Sequence, residues 1–116
     1  NSDKPFSGEV VSYYSNGQKK EERTYKNGKE IGSTKWYYHD NGQKSLEETY
    51  KDGKQDGLHT SWHYNGQKSL EETYKDGKED GLFTSWYENG QKSEEITYKD
   101  GEMIEWTRWD ENGNEY

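Results

Sequence analysis

An all-β fold follows from three features of this chain: an elongated, single-layer, twisted antiparallel meander of repeated β-hairpins. Two turn signals alternate along its 116 residues. The intervals between them are strand length. No segment shows the capped 3.6-residue periodicity of a helix. Asn-Gly recurs at Asn16, Asn41, Asn65, Asn89 and Asn112, with spacings of 25, 24, 24 and 23 residues. Between these fall Asn27-Gly28, Asp52-Gly53, Asp76-Gly77 and Asp100-Gly101. Both dipeptides suit a type I′ turn, which needs positive φ at its two central residues. A fixed period of this size marks a repeat architecture. Here it gives about four and a half units of 23–25 residues over 6–116, behind a flexible lead at 1–5.

The elements follow in order. The lead is polar and includes Pro5, which has no N–H to give a strand ladder. A strand runs from Gly8 to the first Asn-Gly. After each Asn-Gly come nine residues, Gln67 to Lys75 in the clearest copy, ending in the strand-favouring pair Thr73-Tyr74. The segment after the second turn is longer, eleven residues in Lys54 to Tyr64 and in Lys78 to Glu88. That mismatch predicts an overhang or bulge near Asp56-Gly57 and Asp80-Gly81. The first such segment has an extra residue within Trp36 to Asp40, and the last, Glu102 to Glu111, is one short. About ten short strands result.

Register follows from the turns. A two-residue Asn65-Gly66 loop pairs positions summing to 131, so Trp62 faces Ser69 and Gly57 faces Tyr74. The same arithmetic sets Gly81 against Tyr98 and Gly8 against Tyr25, while Gly32 misses Tyr50 by one. A Tyr ring over a cross-strand Gly pins register. Across Asp76-Gly77, Leu70 faces Phe83. One face then carries Leu58, Trp62, Leu82 and Trp86, the other Leu70, Tyr74, Phe83 and Tyr98. Columns repeat every unit: Tyr13, Tyr38, Trp62, Trp86 and Trp109, each three residues before its Asn; Glu22, Glu47, Glu71 and Glu95; Lys19, Lys44, Lys68 and Lys92.

Composition sets limits. Leu, Ile, Val and Phe number only 11, Ala is absent, and the net charge is −8. Five Trp and eleven Tyr must do most of the burying. The acidic balance argues against nucleic acid, which needs clustered Lys and Arg, and against strong binding to anionic membranes. Without Cys there are no disulfides and no thiolate metal sites. The polar start without Met points to a secreted or cell-envelope protein, with a cytoplasmic location left open.

No catalytic or metal site emerges, and no cofactor is expected. His59 and His63 are four apart, a span of roughly 13 Å in a strand, too far for one ion. Glu71 and Glu72 are neighbours on a strand and point to opposite faces, so they cannot act as one pair. The Glu and Lys columns read as a solvated face. No charged or aromatic position breaks the repeat except at the two ends.

The run Tyr-Lys-Asp-Gly-Lys-x-Asp-Gly at Tyr50 to Gly57 and Tyr74 to Gly81, followed by an aromatic strand and Asn-Gly-Gln-Lys, resembles the MORN repeat family, and more closely its bacterial variant. The resemblance covers about Gly8 to Gly113. It implies hairpin units in an elongated sheet, with roles in scaffolding, dimerisation or phospholipid contact. The expected function is a non-enzymatic scaffold for a protein partner or a homodimer. The alternative is a glycan-binding envelope or extracellular protein. The binding candidates are an aromatic platform of Tyr38, Trp62, Trp86 and Trp109 and a C-terminal edge of Met103, Ile104 and Trp106.

Overall fold

A computed structural model of the chain describes residues 4–116. Eleven strands make one antiparallel sheet. They are β1 (Gly8–Tyr13), β2 (Lys19–Lys26), β3 (Lys29–Glu30), β4 (Gly32–Tyr37), β5 (Lys44–Lys51) and β6 (Lys54–Trp62), then β7 (Lys68–Lys75), β8 (Lys78–Glu79), β9 (Gly81–Trp86), β10 (Lys92–Lys99) and β11 (Glu102–Arg108). The sheet order is β1-β2-β4-β5-β6-β7-β9-β10-β11, with β3 on β2 and β8 on β7. Hairpins join the strands along this order, while β3 runs on into β4 and β8 into β9 across one residue, Ile31 and Asp80, along the same neighbour. The molecule measures 59 × 38 × 13 Å, so it is one sheet thick and longer than wide. Residues 1–3 of the expected flexible lead lie outside the described residues. Pro5 packs close to Gly28, and Gly28 N–H donates to the Phe6 carbonyl at 2.7 Å.

The two turn signals do different work. Asn27, Asp52, Asp76 and Asp100 have φ of 50–52°, each followed by a glycine at positive φ. These are the type I′ turns. Asn16, Asn41, Asn65, Asn89 and Asn112 have no positive φ, so the expected type I′ geometry is corrected there. Gly66 N–H donates to the His63 carbonyl at 2.9 Å and His63 N–H to the Gln67 carbonyl at 2.7 Å. That is a three-residue loop, a type I turn closed by a left-handed glycine. Asn is required for its side chain. Asn65 Oδ1 accepts from Gln67 N–H at 2.9 Å, and its Nδ2 donates to the Glu88 carbonyl of the next loop at 3.1 Å. Asn16, Asn41 and Asn89 repeat both bonds. Asn65→Ala therefore removes one bond within a repeat and one between repeats. In urea denaturation it is expected to lose about 1–2 kcal/mol; an unchanged midpoint would show that the bridge contributes nothing.

The longer loop changes the register near each turn. Gly57 pairs with Tyr74 and Ser61 with Leu70 as expected, but Trp62 pairs with Lys68, not Ser69. Ser69 is bulged, and its hydroxyl meets Ser61 Oγ at 2.7 Å. The overhang falls where the segment lengths place it. Tyr74 pairs with Glu79, but beyond Asp80 the pairing shifts by two, so Leu70 faces Ser85 rather than Phe83. A two-residue shift preserves alternation, and the division of residues between the faces survives. Gly32 does pair with Tyr50. The extra residue of that unit sits in the loop after Tyr38, where Tyr38 N–H reaches the Gln43 carbonyl.

There is almost no apolar core. Ile96 is the one buried hydrophobic among the described residues; the others buried are Thr34, Glu48, Thr60, Glu72 and Thr84. Ladder hydrogen bonds and cross-strand side-chain pairs must hold such a sheet.

Candidate binding surfaces

On one face, cross-strand pairing builds a row in which lysines and rings alternate. Tyr13 lies opposite Lys19, Tyr37 opposite Lys44, Trp62 opposite Lys68 and Trp86 opposite Lys92. Trp109 continues it, its N–H on the Ser93 carbonyl. Tyr38, expected in this column, belongs to the next one with Tyr14, His63 and Tyr87. Those four side chains bond the carbonyls of Tyr37, Trp62, Trp86 and Trp109 in the following repeat. The inserted loop residue caused the misplacement, and Tyr37 takes the platform position.

Between repeats the row opens into clefts. One of about 370 Å³ is lined by Gln67, Lys68, Trp86 and Gly90, and its equivalent of about 330 Å³ by Gln43, Lys44, Trp62 and Gly66. Lys44 Nζ stands 5.0 Å from the centre of the Trp62 ring. Each lysine also pairs with a Glu three residues on: Lys19–Glu22 at 3.3 Å, Lys44–Glu47 at 3.0 Å and Lys68–Glu71 at 2.6 Å, with Lys92–Glu95 alike. Trp62, Trp86 and Trp109 are each partly exposed.

The opposite face holds what the sequence reading missed. There the column Arg23, Glu48, Glu72, Ile96 runs from a cation through two carboxylates to an apolar residue, so symmetry is broken away from the ends. Arg23 bridges Glu21 at 2.7 Å and Glu30 at 3.2 Å and stacks on Trp36 at 5.2 Å. Two repeats on, Glu72 occupies the place of Arg23. Burial and the neighbouring Glu79 carboxylate push its pKa up to about 7. Its Oε1 accepts from the Tyr74 hydroxyl at 3.2 Å, while its buried Oε2 has no partner. His59 lies 3.3 Å from Glu48 and 4.0 Å from Glu72, and stacks on Tyr74. Burial lowers the His59 pKa, against the pull of Glu48. One signal was available: a column that changes from Arg to Glu to Ile cannot be a uniform solvated face. Among the described residues no three His, Asp or Glu side chains converge to hold a metal ion.

The C-terminal strand carries Met103, Ile104 and Trp106, which are 50%, 60% and 51% exposed. Met103 pairs with Tyr98 and Trp106 with Ile96, and Ile104 is bulged between them. Trp106 Nε1 donates to Glu94 at 2.9 Å, and Arg108 lies 5.3 Å from its ring. The platform and this strand are separate surfaces: Trp106 lies on the face of Ile96, Trp109 on that of Trp86.

A family model described as MORN repeat variant matches four consecutive stretches, residues 6–27, 32–52, 55–76 and 79–100. Each stretch ends at or next to the second turn of its unit, from Asn27 to Asp100. Comparison with curated proteins finds no match.

Proposed function

From the premise that the chain belongs to the MORN repeat variant family, whose repeats serve as binding modules, we propose that it is a non-enzymatic scaffold that binds protein through β11, with a second copy as the partner. The observation that carries this is the apolar cluster of Met103, Ile104 and Trp106, at least half exposed in a chain with one buried hydrophobic among its described residues. Among those residues β11 has one strand neighbour, β10, and its other side carries only the Trp109–Glu115 bridge. An open strand edge beside exposed apolar groups is a template for another strand. Glu102, Glu105 and Arg108 interleave with the cluster and keep the edge soluble.

Ile104→Ala with Trp106→Ala tests the proposal. Sedimentation velocity is expected to show a concentration-dependent dimer for the parent chain and a monomer for the double variant, at nearly equal melting temperatures. A monomeric parent and a variant that only melts earlier would make the cluster a cap on the last repeat.

The row of clefts favours a second reading, in which the aromatic face binds glycan. Flat rings pack on the apolar faces of sugars, and Gln and Lys beside each Trp offer hydrogen bonds.

A further inference from the structure

Resting on that second reading, we infer that the Lys/aromatic row is a subsite array for an uncharged, linear, β-linked polysaccharide, lying across the strands with one disaccharide per repeat. Three observations carry it. First, the sites are periodic. Each repeat adds two strands, so successive clefts lie about 10 Å apart at strand spacing, close to the length of an extended disaccharide. Second, they are equivalent. Lys68 with Trp86 and Lys44 with Trp62 form the same cleft one repeat apart, each with the preceding Gln and the next turn glycine. The same row contains Lys19 with Tyr37 and Lys92 with Trp109. A compact partner has no use for identical sites at a fixed step, whereas a polymer meets the same groups at each one.

Third, the clefts carry no net charge. Each of the four lysines is held by the Glu three residues on. A polyanion would have to displace those carboxylates, so uronate or sulfate chains are disfavoured. An uncharged sugar keeps the ion pair and uses it as donor and acceptor for its hydroxyls. Adjacent strands rotate by roughly 20–25°, so the row turns through about twice that per repeat. The occupant is therefore a soluble chain free to twist, not a flat crystalline surface.

The test is calorimetric titration of the whole chain with β-1,4-linked glucose and N-acetylglucosamine oligomers of increasing length, beside oligogalacturonate as a charged control. Affinity is expected to rise several-fold with each added disaccharide until four clefts are spanned, with little dependence on salt. Trp62→Ala and Trp86→Ala are each expected to weaken the longest oligomer about tenfold. Because those variants remove half-buried rings, Lys68→Met, at an exposed position, is the second probe and is expected to weaken binding without moving the melting temperature. Binding that ignores chain length, or that prefers oligogalacturonate, would overturn the inference and leave glycan binding itself standing. No heat with any oligomer, confirmed by unchanged tryptophan fluorescence, would overturn both.

Discussion

Gly57→Val is expected to lower the free energy of unfolding by about 3 kcal/mol, and Gly81→Val by about 1 kcal/mol less. Both glycines sit at positive φ, +113° and +101°, where a β-branched residue is strained. The two sites differ in what a side chain would meet. A Cβ on Gly57 would stand 3.3 Å from Thr49 Cβ and Cγ2, and Thr49 is held in place by its hydroxyl bond to the Leu58 carbonyl at 3.0 Å. A Cβ on Gly81 would meet only Thr73 Cβ, at 3.9 Å. The expected placement of a Tyr ring over the cross-strand glycine is thus corrected at this site: Gly81 does pair with Tyr98, but the ring is not within 4 Å of a new Cβ. Urea melts of the two variants give the ordering directly. Equal losses would place the whole cost in the backbone, and no loss at either would deny the positive φ.

Glu72→Gln is expected to stabilise the protein by about 2 kcal/mol near pH 8 and by almost nothing near pH 4. In the folded chain burial and Glu79 raise the Glu72 pKa from 4.5 to about 7. Between those values the unfolded chain has released the proton and the folded chain still holds it. Stability from this group is therefore fully present below about pH 4.5 and is lost as pH rises through about 7. Glutamine carries no charge at any pH and can donate to Glu79, so the gap between variant and parent should widen across that window. His59 must be tracked beside it. Its lowered pKa removes stability as pH falls through its own range, the opposite sign. Comparing the variant with the parent at each pH separates the two. A gap that does not change with pH would mean that Glu72 titrates alike in the folded and unfolded chain.

The architecture was legible because period and turn chemistry agree. Asp-Gly has one good solution, the type I′ turn, and strand length followed from the distance to the next signal. Asn-Gly was ambiguous. The same dipeptide serves a two-residue loop through the φ of Asn and a three-residue loop through the Asn side chain, and the partner that decides, the Glu88 carbonyl, lies 23 residues away. Choosing the shorter loop moved Trp62 one place along β7. Tyr38 was misplaced because counting back from Asn41 assumes equal loops, and the insertion in this one follows Tyr38. The Glu22, Glu47, Glu71 and Glu95 column did emerge beside its lysines. Glu48 and Glu72 look the same in sequence and are buried on the other face, because a Glu-Glu pair in a strand sends one residue each way. Which one is covered depends on Tyr50, Tyr74 and His59 folding over it.

Hydrogen exchange along β11 tests the central claim, that this strand adds to a strand of another copy, most directly. Amides of Met103 to Thr107 that point away from β10 have no partner strand among the described residues. If β11 adds to another copy, their protection must rise with protein concentration while that of β5 to β7 stays constant, and the double variant must abolish the rise. Protection along β11 that is the same at low and high concentration would contradict the claim.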